Sequence, residues 1–148
     1  MSAPAWTVLS PQLERLHIPP APVRLLTVGL GEPDHGQLRR YLQEPECKLY
    51  RSKARRDALP MVRSRHPNVL ICEQNLSDGT WQDLLGDLQS LSRPPMLIVC
   101  SLLADDRLWA EVLNIGGYDV LMKPFQPMEV ARVVRMAARQ GAWMRSHG

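Results

Sequence analysis

Five short apolar runs divide this chain, and the segments between them have the period of helices. The runs are Val23–Val28, Cys47–Tyr50, Val69–Cys72, Met96–Cys100 and Tyr118–Met122. Each is too short for a buried helix, and most are rich in the aliphatic residues that pack on a pleated surface. The third and fourth are apolar at nearly every position, as strands covered on both faces must be. Strands alternating with helices predict a five-stranded parallel sheet between two helical layers, an α/β fold.

The intervening segments support this. Leu38, Tyr41 and Leu42 have the spacing of one helical face, with Asp34 as a candidate cap. Arg55 to Ser64 reads as a helix with Ala58, Leu59 and Val62 inward, although Pro60 interrupts it. Thr80 precedes a helical run carrying Trp81, Leu84, Leu85, Leu88 and Leu91, and Asp83 completes a loose form of the capping box. Ala104 to Ile115 predicts a helix with Leu108, Val112 and Ile115 inward, stopped by Gly116-Gly117. A last helix starts at Pro127 and ends near Arg139. Glu73 to Gly79 reads as a polar loop.

Three of the strands end on residues with chemistry. Val69-Leu70-Ile71-Cys72 leads to Glu73, Leu97-Ile98-Val99-Cys100 to Ser101, and Tyr118-Asp119-Val120-Leu121-Met122 to Lys123, with Pro124 directly behind it. If these strands are parallel neighbours, a carboxylate, a hydroxyl and an ammonium group meet at one edge of the sheet.

Composition sets the outer limits. With 148 residues, 45% hydrophobic and 22% charged, the chain is long enough for one globular domain with a core. Residues 1–22 read as an N-terminal extension, in which Ser10-Pro11 opens a short helical piece and Pro19-Pro20-Ala21-Pro22 forms a stiff lead-in. Residues 23–140 form the domain and 141–148 a C-terminal tail. No apolar stretch is long enough for a membrane helix and no secretory signal is visible. Cys47, Cys72 and Cys100 have no zinc spacing and read as core thiols in a reducing compartment, so a cytoplasmic location is expected. His17, His35, His66 and His147 have no metal spacing either and read as surface or loop residues.

The run Gly116-Gly117-Tyr118-Asp119-Val120-Leu121-Met122-Lys123-Pro124-Phe125 resembles the end of the fifth strand in receiver domains of bacterial two-component response regulators. Pro67-Asn68-Val69-Leu70-Ile71-Cys72-Glu73, with Leu76, Asp78 and Gly79 after it, resembles their phosphoacceptor strand and loop, and Ser101 stands where the family has serine or threonine. The resemblance covers about Val23 to Arg139. It implies the flavodoxin-like strand order 2-1-3-4-5, with a pocket at the carboxyl ends of the strands. It also implies a non-enzymatic signalling module, with a histidine kinase, a protein partner or a second copy of the chain as candidate partners.

Against that pattern, Glu73 matches the phosphoacceptor aspartate, and Gly29 and Leu30 match the two acidic residues that follow the first strand. Ser101, Lys123 and Pro124 are retained. Val120 replaces the usual aromatic switch residue, and Tyr118 is placed on the same face as Val120. Phosphotransfer in this family needs Mg²⁺ in near-octahedral oxygen ligation. The match supplies Glu73 as the only clear acidic ligand, so no cofactor is expected. The longer Glu73 carboxylate sits about 1 Å further out, a displacement able to cost about 10²-fold in rate. A Glu73–Lys123 pair, bonded also to Ser101, could then fill the pocket, either as a mimic of the phosphorylated state or as a structural ion pair.

Two other functions stay open. One is a phosphorylatable receiver using Glu73, or Glu32 or Asp34 through a shifted loop. The other is a small-molecule-binding or enzymatic domain, for which Gly29-Leu30-Gly31-Glu32 is a poor nucleotide fingerprint without its third glycine. On the surface, the fourth helix carries Asp105, Asp106, Trp109 and Glu111, the last carries Arg132, Arg135 and Arg139 close to one stripe, and a two-fold contact could pair the acids of one copy with the arginines of another. The family uses this fourth helix–fifth strand–fifth helix face for dimers and partners; an ordinary solvated face is the alternative. Arg51, Lys53, Arg55, Arg56, Arg63 and Arg65 form a second basic region, with no nucleic-acid-binding module beside it.

Overall fold

The computed structural model describes residues 22–147. Most of the proline-rich lead-in, the short helical piece around Ser10 and His17 lie outside those residues. Five strands form one parallel sheet: β1 (Val23–Val28), β2 (Cys47–Ser52), β3 (Val69–Glu73), β6 (Met96–Ser101) and β7 (Asp119–Met122). Their spatial order is β2-β1-β3-β6-β7, so the five long strands run 2-1-3-4-5 as expected. The helices are α1 (Glu32–Tyr41), α2 (Arg55–Arg65), α3 (Trp81–Gln89), α4 (Asp106–Ile115) and α5 (Pro127–His147).

The pleat sorts the apolar side chains into two cores. Leu25, Ile71, Ile98, Cys100 and Leu121 pack with Leu38 of α1, Leu42 just after it, and Val130, Val133, Val134 and Ala137 of α5. Leu26, Val28, Leu70, Cys72, Leu97 and Val99 pack with residues of α2, α3 and α4, including Trp81 and Leu108. The central strands are apolar throughout because both their faces are covered.

The structure corrects the sequence reading at several points. The segment after β3 is not all loop: Asn75–Leu76 (β4) and Gly79–Thr80 (β5) form a small antiparallel hairpin. Thr80 and Asp83 close a full capping box, because the Asp83 carboxylate reaches the Thr80 amide at 3.0 Å. Asp34 does not cap α1; the cap is Gly31, and Asp34 lies in the first turn. Ile115 is exposed, at the last position of α4 before the Gly116 cap. His35 is buried, its Nδ1 within 2.9 Å of the Thr27 hydroxyl, because a polar partner on β1 waits for it. Burial and the nearby Arg39 and Arg51 lower its pKa.

The last helix does not stop near Arg139. It continues to His147, so residues 141–147 are helical. Gly141 is accommodated because its Cα faces Met96, with the nearest side-chain atom 3.4 Å from where a Cβ would stand. Trp143 stacks on His147 with ring centroids 4.5 Å apart.

Candidate functional site

β1, β3, β6 and β7 all end at the same edge, and their last residues and following loops build the site. Lys123 follows β7, and its amide donates to the carbonyl of Ser101 at 3.0 Å, which fixes the start of the loop. Pro124 follows across a cis peptide. The Lys123 ammonium donates to Glu73 Oε1 at the end of β3 and to Asp34 Oδ2 in the first turn of α1, the latter at 3.1 Å. The side chains are only 13% exposed for Lys123 and 19% for Glu73. Burial works to lower the Lys123 pKa, but the hydrogen bonds to Glu73 and Asp34 outweigh it and the net shift is upward. This is one cation shared by two carboxylates.

The Glu73–Lys123 pairing is as expected, and of the two acids expected to reach the pocket only through a shifted first loop, Asp34 joins it and Glu32 does not. The first turn of α1 turns Asp34 inward, whereas Glu32 is turned to Arg51 and Arg39. Ser101 is also placed differently. Its hydroxyl donates to Gln74 Oε1 at 2.9 Å and accepts from the Leu103 amide at 3.0 Å, so it does not join the ion pair. Gln74 is one residue past Glu73, and its amide oxygen reaches β6 where the shorter side chains around it do not. No sequence pattern singled it out.

The other half of the pocket is apolar. Gly29 has φ +78, and a Cβ at this position would lie 2.5 Å from Leu76 Cδ2. Leu76, on the hairpin, therefore fills the space over Gly29. Leu30 is buried with Leu38 and Phe125 in the α1–α5 core and turns no group to the pocket. Mg²⁺ prefers a near-octahedral shell of oxygens. Here the Glu73 and Asp34 carboxylates are both engaged by Lys123, and the Leu76 side chain occupies the space over Gly29. Among the described residues, no three His, Cys, Asp or Glu side chains are grouped to hold a metal.

The hairpin is tied down at its turn. α2 has no cap of its own; Asp78 supplies one, accepting from the amides of Arg55 at 2.8 Å and Arg56 at 3.0 Å. These bonds hold the Asp78 carboxyl below its usual range.

Tyr118 and Val120 do not share a face. Val120 packs toward α2–α4, whereas Tyr118 packs toward α1 and α5. The alternation of side chains holds only within β7, which begins at Asp119. Arg132, Arg135 and Arg139 follow one another at helical spacing along the continuous α5.

Beside the pocket, Leu102 and Leu103 stand 71% and 80% exposed, and Trp109 of α4 is 50% exposed with its indole N–H donating to Asp119. Asp105 caps α4 through the Leu108 amide at 2.8 Å. An open cavity of about 370 Å³ lies here, between Trp109, Val120, Met122, Asp106 and Glu129.

Residues 35–135 match the family model described as the response regulator receiver domain. The chemotaxis protein CheY of Thermotoga maritima is 20% identical over 84 residues, covering 57% of this chain and 70% of that protein. Among solved structures, a signal receiver domain from Vibrio parahaemolyticus superposes with a TM-score of 0.76 at 18% identity, covering 84% of this chain and 96% of that one. The signal receiver domain of an HD domain-containing protein from Pseudomonas fluorescens Pf-5 gives 0.72 at 22%, covering 82% and 98%. The sheet order, the lysine at the end of β7 and the family match over two thirds of the length lead to one conclusion: this chain belongs to the response regulator receiver domain family.

Proposed function

We propose that this receiver domain is degenerate and acts as a protein-interaction module without being phosphorylated. The observation that carries this is the sharing of Lys123 by Glu73 and Asp34 beside a space closed by Leu76. In a phosphorylatable pocket the lysine neutralises charge that develops on the transferred group. Here two carboxylates of the chain itself hold it. The pocket is an internal ion triad, and its state is set by the fold.

The docking surface in this reading is the face made by α4, β7 and the start of α5. Its exposed Trp109 and Met122 line an open cavity with Asp105, Asp106 and Glu129 at its rim, and the exposed Leu102 and Leu103 stand in the loop that leads to α4. Such a surface on a small domain marks an interaction site. Among the described residues, no helix is long and apolar enough to cross a membrane.

The test is an amide NMR titration with Mg²⁺, then Mg²⁺ with beryllofluoride. The expected result is no saturable shift at Glu73, Ser101 or Lys123. Saturable shifts there that spread into α4 and α5 would show a working phospho-switch and overturn the proposal.

A further inference from the structure

The two open edges of the sheet carry opposite charge. Residues 22–66, which include the edge strand β2 with α1 and α2 around it, hold ten Lys and Arg against five Asp and Glu. Residues 67–126, which include the opposite edge strand β7 and α4, hold three against eight. Because the order is β2-β1-β3-β6-β7, the two edge strands lie on opposite sides of the molecule, while Asp78, Asp83 and Asp87 of the second group turn to the first turn of α2.

Both edges have charge to spare. Near β2, Arg40, Lys48, Lys53 and Arg63 are exposed, and among the described residues they make no ion pair. Near β7, Asp106 and Glu111 are exposed and Glu129 half-buried, and these three make none either. Arg107 and Arg132 lie on the same side, so the β7 edge is acidic on balance and not uniformly so. The acidic edge also carries exposed Trp109 and Met122 around its cavity, and the basic edge carries half-buried Leu49 and Tyr50.

We propose that the α4–β7 face of one copy of this chain receives the β2 edge of a second copy, head to tail. This rests on reading the α4–β7 face as a docking surface and names its occupant. A two-fold contact on the same face sets its acidic rim against itself, and like charges in apposition disfavour it. It also leaves the β2 edge unused. A head-to-tail contact pairs the unpartnered acids with the unpartnered bases. It does not close on itself, so assembly grows with concentration. Exposed charges drive it, and salt weakens it.

The experiment is analytical ultracentrifugation of the full chain and two variants at about 0.01 M ionic strength, where the Debye length is about 30 Å. One variant reverses the acidic edge (Asp106→Lys, Glu111→Lys, Glu129→Lys) and the other the basic edge (Lys48→Glu, Lys53→Glu, Arg63→Glu). The expected result is a wild-type chain whose mean mass rises with concentration, and whose association weakens about tenfold or more on going to about 0.15 M salt. Each variant alone should stay monomeric. Each keeps one intact edge, the two intact edges are mutually complementary and so are the two reversed ones, so an equimolar mixture should associate again, with a mean mass that rises with concentration. Where a reversed variant does not fold by circular dichroism, Asp106→Asn with Glu111→Gln, or Lys48→Gln with Lys53→Gln, takes its place. A monomeric wild type overturns the proposal. A basic-edge variant that still self-associates overturns it too, while leaving α4–β7 as a symmetric docking face. An acidic-edge variant that still self-associates overturns both readings.

Discussion

The two halves of the pocket have been built by different physics. On one side, Lys123, Glu73 and Asp34 keep charge in a largely covered site by neutralising one another. On the other, Gly29 and Leu76 fill the space with hydrocarbon. The first half depends on every partner being present, since removing one leaves an uncompensated charge. The second depends only on shape, and a change there leaves a void or a clash. The lysine of the family is thus kept, with two carboxylates on one side of the pocket and hydrocarbon on the other.

The sharpest way to break the ionic half is Lys123→Met. It leaves Glu73 and Asp34 side by side without a cation. We expect a loss of about 2–3 kcal/mol in denaturant unfolding, below the usual cost of breaking a fully buried pair because the site is partly exposed. A loss under about 0.5 kcal/mol, the scale of a surface pair, would show the triad to be incidental.

The apolar half is tested by Leu76→Ala and Gly29→Asp, singly and together. Leu76→Ala should cost about 1–2 kcal/mol, less than a core leucine because Leu76 is half-buried. Gly29→Asp alone should also destabilise, since its Cβ meets Leu76, although Asp tolerates a positive φ better than most residues. In the double variant the clash is relieved, so the two losses should not add. Simple additivity would mean that Leu76 does not guard position 29.

Gln74→Ala probes the boundary between the halves. Ser101 keeps its bond from Leu103 but loses Gln74 as acceptor, at a cost of about 1 kcal/mol. Trp109 emission should shift with it if the loop from Ser101 relaxes. An unchanged spectrum would uncouple the pocket from the α4 face.

The smallest effect concerns His35, away from both halves. Its pKa is lowered in the folded state, so the unfolded chain takes up its proton first as pH falls. Stability is fully present above about pH 6.5 and declines as pH drops through the folded value. His35→Gln should remove that part of the slope. The Lys123 shift works at the opposite end: its contribution holds below the unfolded pKa and is lost as pH rises through the raised folded one.

Much of this could be read beforehand, because periodicity reports burial. The five strands, both cores and the Glu73–Lys123 pairing follow from alternation, helical spacing and strand ends. What escaped were side chains whose direction depends on one local turn. Asp34 reaches Lys123 because α1 starts two residues before it, and His35 turns inward because Thr27 offers a partner. Gln74 carried no pattern at all. The hairpin was missed because two-residue strands leave no period to detect. Tyr118 was placed by counting along a strand that had not yet begun.

The Asp78 carboxylate caps α2 from outside that helix, at the turn of a hairpin that also holds Leu76 over Gly29. Helix start, hairpin and pocket cover are thus fastened at one point. They should open as a single cooperative unit, with the amides of Arg55 and Arg56 exchanging with solvent at the same free energy as those of the hairpin. Uncovering Gly29 would then require releasing the first turn of α2.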